Sequence, residues 1–221
     1  DVGGPYNVVV RATDSEEAYV EDTFTLTVTN VNDSPVLTVP LSDQSATEDV
    51  AFTFVAGSNF FDIDVPSYDT LTYLATGAPA WLTFNTSTGT FSGTPTNADV
   101  TQLGGPVLIT VRATDSFGLY AEDVFDLSVL NVNDAPAVVT PIPSQNAMPG
   151  VLFTLTFGAG TFTDVDIPFG DALSYSATLE DGSALPTWLT FTPATRTFSG
   201  TPLTTNLGVL HIKVVATDLA L

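Results

Sequence analysis

Between Val107 and Ala113 apolar residues take every second position (Val107, Ile109, Val111, Ala113), and past a turn at Asp115 to Gly118 the alternation resumes through Phe125, Leu127 and Val129. A period of two marks a half-buried strand, and two such runs across a short turn predict a hairpin. The same pattern opens the chain: Val8, Val10 and Ala12 match the first strand and Phe24, Leu26 and Val28 the second, while Val209 to Asp218 returns the first strand a third time. Asp14 and Asp115 stand 101 positions apart, as do Asp33 and Asp134, and Asp115 and Asp218 stand 103 apart. The chain therefore reads as a tandem array. Its unit of about 100 residues is long enough to bury a core of its own.

Within a unit, Phe52 and Phe54 alternate on one strand, Phe60-Phe61-Asp62-Ile63-Asp64 leads into a turn through Pro66 to Asp69, and Leu71 and Tyr73 begin the next strand. Pro79 to Phe84 and Gly89 to Pro95 predict a short hairpin joined through Asn85 to Thr88. The last unit repeats this order with Phe153 and Leu155, Asp164-Val165-Asp166, Pro186 to Phe191 and Thr197 to Pro202; a longer loop, Leu179 to Leu185, stretches the offset to 107 between Trp81 and Trp188. Length changes thus sit in loops. Thr, Val and Phe enrichment with closely spaced turn signals predicts an all-β sandwich of about seven strands per unit. The expected domains are 1–34, the closing strands of one unit, 35–135, a complete unit, and 136–221, a unit without its last strand. The chain begins at Asp1 and stops at Leu221 inside a motif, so a fragment or processed piece is expected.

Twenty-five Asp and Glu against four Lys and Arg give a net charge of −21, which argues against nucleic acid and anionic membrane as partners. With 44% hydrophobic residues the chain is not a disordered acidic tail. It has no cysteine, hence no disulfide or thiolate metal site, and no apolar run approaches the length of a membrane span. What needs explaining is why so many Asp gather at turns and hinges.

Strands ending in Ala-Thr-Asp, a second strand, then Asn131-Val132-Asn133-Asp134-Ala135-Pro136, with Ala46-Thr47-Glu48-Asp49 and an Asp-x-Asp earlier in the unit, resemble a cadherin repeat. The Pro-x-Trp-Leu-x-Phe and Thr-Phe-Ser-Gly-Thr-Pro pattern is similar to the dystroglycan-type cadherin-like and Putative Ig modules of long bacterial surface proteins. The resemblance covers the whole chain. It implies tandem Greek-key sandwiches, a secreted or cell-surface location, and Ca2+ held where consecutive units join. On these motifs Asn131 to Asp134 matches the linker, with Asn131 where Asp is usual; Asp62 and Asp64 match the Asp-x-Asp, Asp115 the Ala-x-Asp, and Glu48 the early glutamate. The Asp-Arg-Glu element of animal cadherins is not visible. In the last unit Pro149 and Gly150 stand where Glu48 and Asp49 would, which predicts a weaker or emptier site at that unit's far end.

Calcium takes six to eight hard oxygens from carboxylates, amides and carbonyls. Carboxylates about 5 Å apart repel by about 3 kcal/mol per pair at an effective dielectric near 20, so gathering them calls for a divalent ion. The expected groups are Asn32, Asp33, Asp62, Asp64 and Asp115 at the first junction, and Asn133, Asp134, Asp164, Asp166 and Asp218, joined by Glu48, at the second. Asn131 completes the candidate ligands. Turn initiation alone also accounts for isolated Asp-x-Asp and Asn-Asp pairs, and it is their recurrence at matched positions that favours calcium.

An ion bound by neighbouring repeats of one chain would lock a hinge of about five residues, which suits a stalk or adhesin, with homophilic or filament contacts among its partners. A second reading makes Trp81 and Trp188 stacking platforms for glycans; each is followed by Leu and, three on, by Phe, a run that reads as core. A third completes the last unit by strand donation through residues 19 to 31, building a filament. An enzyme is disfavoured: His211 is the one histidine, it lies outside the shared motifs on the face opposite Ile212 and Val214, and no Ser-His-Asp set is supported.

Overall fold

The computed structural model describes residues 4–101 and 104–219. The chain divides into two compact units, one of Asp1–Ala46, Val50–Pro95 and Pro106–Ser128, the other of Thr47–Asp49, Thr96–Gly105 and Val129–Leu221. Regular structure among the described residues is strand or short 3-10 helix, and no helix is long and apolar enough to cross a membrane.

The strands run in chain order β1 (Tyr6–Thr13), β2 (Tyr19–Leu26), β3 (Val36–Leu37), β4 (Gln44–Thr47), β5 (Phe52–Val55), β6 (Phe60–Phe61), β7 (Thr72–Thr76), β8 (Leu82–Asn85), β9 (Thr90–Gly93), β10 (Val107–Thr114) and β11 (Tyr120–Leu130). There follow β12 (Ala137–Val138), β13 (Phe153–Thr156), β14 (Phe162–Thr163), β15 (Ser174–Leu179), β16 (Leu189–Thr192), β17 (Thr197–Gly200) and β18 (Ile212–Thr217). Sheets of order β4-β11-β10-β7, β5-β9-β8 and β3-β6 build the first repeat, and β15-β18, β13-β17-β16 and β12-β14 restate it. The non-consecutive neighbours are the crossed connections expected of a Greek-key sandwich. Two strands of only two residues on one sheet explain why the first repeat has more strands than the seven expected from pattern alone.

The hairpins predicted by alternation form with matching registers: Arg112 pairs Glu122 on β10–β11, and Arg11 pairs Glu21 on β1–β2. On each, the guanidinium lies over a tyrosine ring, Arg11 over Tyr19 at 4.1 Å and Arg112 over Tyr120 at 4.0 Å. Strand β2 stops at Leu26, short of the run to residue 31 expected from sequence, whereas β11 continues to Leu130. The difference follows from pairing, since β11 has β4 as a second neighbour while β2 bonds only β1.

Alternation buries Ile109, Val111, Ala113, Phe125 and Leu127, and Phe91, Leu82 and Phe60 are buried with them. Phe125 meets Phe54 edge-on at 5.2 Å and Phe91 at 5.7 Å, the offset geometry that aromatic quadrupoles prefer. The second repeat centres on Phe157, Leu189 and Phe198. The repeated Ser-Gly-Thr-Pro has a steric reason. A Cβ on Gly93 or Gly200 would fall 2.3 Å or 1.9 Å from the carbonyl oxygen of Trp81 or Trp188.

Phe125→Ala is expected to cost about 3–5 kcal/mol by cavity formation, while Phe117→Ala, at a position 70% exposed, stays within about 0.5 kcal/mol; urea unfolding of the two variants checks this.

Candidate metal centres

After β6 and β14 the alternation inverts: in Asp62-Ile63-Asp64 and Asp164-Val165-Asp166 the carboxylates are buried and the aliphatic residues between them are about half exposed. Ordinary burial puts these side chains the other way. Backbone hydrogen bonding holds the arrangement in place. The Asp64 N–H donates to Asp62 Oδ1 at 2.8 Å and the Asp166 N–H to Asp164 Oδ1 at 2.9 Å.

In the first unit Asp62, Asp69 and Asp115, all 5% exposed or less, each bring a carboxylate oxygen within 4.8 Å of the others. The N–H groups of Thr70 and Ser116 donate to Asp69 Oδ1 (2.6 and 2.9 Å), and those of Phe117 and Leu119 to Asp115 Oδ1 (2.9 and 2.8 Å). The linker reaches the same place: Asn32 Nδ2 donates to Asp115 Oδ2 at 2.9 Å, and the Asp33 N–H to Asp64 Oδ2 at 2.8 Å. Asp62 Oδ2, Asp69 Oδ2 and Asn32 Oδ1 stay buried with no donor.

In the second unit much of the pattern recurs at matched positions. Ala172 and Leu219 N–H groups hold Asp171 Oδ1 (2.6 and 2.8 Å), Asn133 Nδ2 donates to Asp218 Oδ2 (3.1 Å) and the Asp134 N–H to Asp166 Oδ2 (2.5 Å). Asn133 Oδ1, Asp164 Oδ2 and Asp171 Oδ2 are the buried oxygens left without a donor. This unit adds a further group. Glu48, 1% exposed, accepts from the Val132 N–H and clusters within 4.8 Å with Asp134 and Asp166. Glu48 Oε2 and Asn131 Oδ1 also lack donors, while Asn97 Nδ2 donates to Asp134 Oδ2 at 3.3 Å and Asp166 Oδ1 at 3.2 Å.

Desolvation pushes the carboxyl of Glu48 above the ordinary range, aided by the charges of Asp134, Asp166 and Asp49. Asp62 is raised for the same first reason, with Asp69, Asp64 and Asp115 adding repulsion. Asp69 moves the other way, held down by hydrogen bonding to Ser116. Oxygen-only donors, carboxylate and amide, are the set a hard divalent cation such as calcium takes, and zinc or copper would favour nitrogen or sulfur.

The structure brings together Asn32, Asp62, Asp64 and Asp115, and separately Glu48, Asn133, Asp134, Asp164, Asp166 and Asp218; Asn131 has a buried Oδ1 without a donor but, among the described residues, no contact that joins it to either group. Asp33 contributes its backbone N–H to the first group, and its residue is exposed. Sequence reasoning passed over Asp69, Asp171 and Asn97. The first two had a signal, because Asp-x-Asp-x-Pro-x-x-Asp occurs at both 62–69 and 164–171. Asn97 had none, since Thr204 stands at its place after the second Gly-Thr-Pro. Where the sequence repeat 136–221 has Pro149 in place of the early glutamate, Met148 to Val151 form a turn closed by Val151 N–H to Met148 O at 3.1 Å. The candidate glycan platforms pack inward: Trp81 meets Phe52 edge-on at 6.1 Å, and Trp188 is half-buried against the Phe157 cluster. His211 is exposed, 3.9 Å from a Glu180 oxygen.

Sandwich repeats carrying buried acidic loops and an Asn-Asp linker define a class of cadherin-like and Ig-like surface modules. The family described as "Putative Ig domain" matches twice, over residues 34–130 and 135–220, and the chain belongs to it. It is 31% identical over 149 residues to the "Serine-rich adhesin for platelets" of Staphylococcus aureus, an alignment covering 67% of this chain and 6% of that protein. The chain thus spans a small part of these relatives' length. Among solved structures, human CDH23 EC21-23 aligns with a TM-score of 0.52 at 17% identity, covering 96% of this chain and 72% of that one. Mouse cadherin-23 EC22-24 gives 0.50 at 20% identity, covering 96% and 68%. These similarities establish a shared all-β sandwich fold.

A carboxyl raised by folding loses stability as pH climbs from the unfolded value, about 4, through the higher folded one. The metal-free protein is therefore expected to melt at a higher temperature near pH 5 than at pH 7. The lowered Asp69 acts only below about pH 4 and leaves this window untouched. Calorimetry in chelator should show the slope, and Glu48→Gln with Asp62→Asn should reduce it.

Proposed function

We propose that this chain is a calcium-stiffened structural and adhesive repeat of a larger secreted or cell-surface protein, with Ca2+ held by each linker and the acidic loops of the repeat that follows it. The carrying observation is the recurrence, at matched positions, of buried oxygens that no donor satisfies: Asn32, Asp62 and Asp69, then Asn133, Asp164 and Asp171. An unpaired buried carboxylate is expensive, and a divalent ion at these oxygens removes the cost. Asp64 and Asp115 would complete the first set, with the Asp33 N–H holding Asp64 in place, and Asp166, Asp218, Asp134, Asn131 and Glu48 the second.

The repeats in this reading are 35–135 and 136–221, preceded by the closing hairpin of another in 1–34. Bound calcium neutralises carboxylates that otherwise repel, ties the linker's Asn and Asp to the loops, and limits how far successive repeats swing. Affinity for extracellular modules of this kind is about 10⁻⁴–10⁻³ M, so the array stiffens in calcium-rich surroundings and relaxes under chelation. The role is mechanical rather than catalytic, and the adhesin relatives support an adhesive setting.

Small-angle scattering should give a longer, narrower distance distribution in millimolar calcium than in chelator. Asp62→Asn with Asp164→Asn should raise the calcium Kd at least about tenfold by calorimetry and abolish the change in shape. Identical scattering curves with and without calcium would sink the mechanical reading.

A further inference from the structure

If the second cluster takes calcium as proposed above, one side chain near it is in the wrong state to help. Asn97 sits at the start of a 3-10 turn, Asn97–Asp99, closed by Thr96 donating through its N–H (2.9 Å) and Oγ1 (2.8 Å) to Asp99 Oδ2. That closure fixes the backbone so that Asn97 Nδ2 points at two carboxylates together, Asp134 Oδ2 and Asp166 Oδ1. The same two residues form the cluster with Glu48, whose Oε2 is buried and has no donor. A cation bound to these oxygens and an N–H aimed at them repel each other.

We infer that Asn97 is an amide gate that sets the calcium affinity of this cluster: Nδ2 bridges Asp134 and Asp166 when no ion is bound, and a half-turn of the amide presents Oδ1 as a further ligand when calcium enters. An asparagine amide can serve both roles because its two ends have the same shape and opposite hydrogen-bonding character. Amide oxygens are ordinary calcium ligands, and ligand charge tunes affinity. Asn97 therefore steadies the metal-free acids at the expense of tight binding. An aspartate there would do the reverse, adding repulsion to the empty site and charge to the filled one.

The test is an NMR calcium titration of the full chain and of two variants. The Val132 amide, bonded to Glu48, reports the second cluster, and the Ser116 amide, bonded to Asp69, reports the first. In the native protein the Asn97 side-chain NH2 resonances should shift with the same midpoint as Val132. Asn97→Asp should lower the Val132 midpoint about tenfold, leave that of Ser116 unchanged and reduce the melting temperature in chelator. Asn97→Ala should raise the Val132 midpoint several-fold. Either variant titrating within twofold of the native protein at Val132, or stationary Asn97 resonances while Val132 moves, would overturn the gate and leave the calcium reading intact. Native Val132 and Ser116 both unmoved by millimolar calcium would overturn the calcium reading itself, and the gate with it.

Discussion

In Asp62, Asp69, Asp164 and Asp171 the two buried carboxylate oxygens are treated differently. Oδ1 accepts from backbone N–H groups one or two residues on or from a neighbouring loop, as Asp69 Oδ1 does from Thr70 and Ser116. Oδ2 meets no donor at all. An uncompensated buried charge costs several kcal/mol, against a total stability of about 5–15 kcal/mol for a domain. In the proposed reading a divalent cation offsets that cost. Asn32, Asp33, Asn133 and Asp134, which hydrogen-bond to these loops, belong to the linkers.

In the proposed reading the sandwich serves to hold those loops. Its core follows the ordinary rule, with Ile109, Val111, Phe91 and Phe125 excluded from water and Thr or charged residues facing out. At Asp62-Ile63-Asp64 the rule is reversed within two residues of the end of β6, and only a loop pinned by its own backbone hydrogen bonds can sustain that. Sequence differences between the repeats fall outside this frame. The insertion at Leu179 to Leu185 and the turn at Met148 to Val151 leave the strand pairings of β13, β16 and β17 matching those of β5, β8 and β9.

The two clusters are not copies. Both have the set built on Asp-x-Asp-x-Pro-x-x-Asp and the linker Asn, but Glu48 adds a carboxylate to the second, and Asn97 adds a donor. More carboxylates close together raise both the repulsion in the metal-free state and the attraction for an ion, so the second cluster has the larger difference between its two states.

Alternation of period two, the 101-residue spacing and the repeated turn residues were enough to place the hairpins and the all-β class, while the grouping of the acidic residues came from their resemblance to cadherin motifs. These are local or periodic properties, and a strand's face follows from them directly. The spacing of Asp69 and Asp171 was legible too, though both pass for turn residues when read alone. What only the tertiary structure decided was which oxygen of each carboxylate is satisfied, that Asp33 acts through its backbone, and that Asn97 aims its amide at Asp134 and Asp166. Those facts depend on loops far apart in the chain meeting at one point, and no pattern within a single loop encodes where its partners will be.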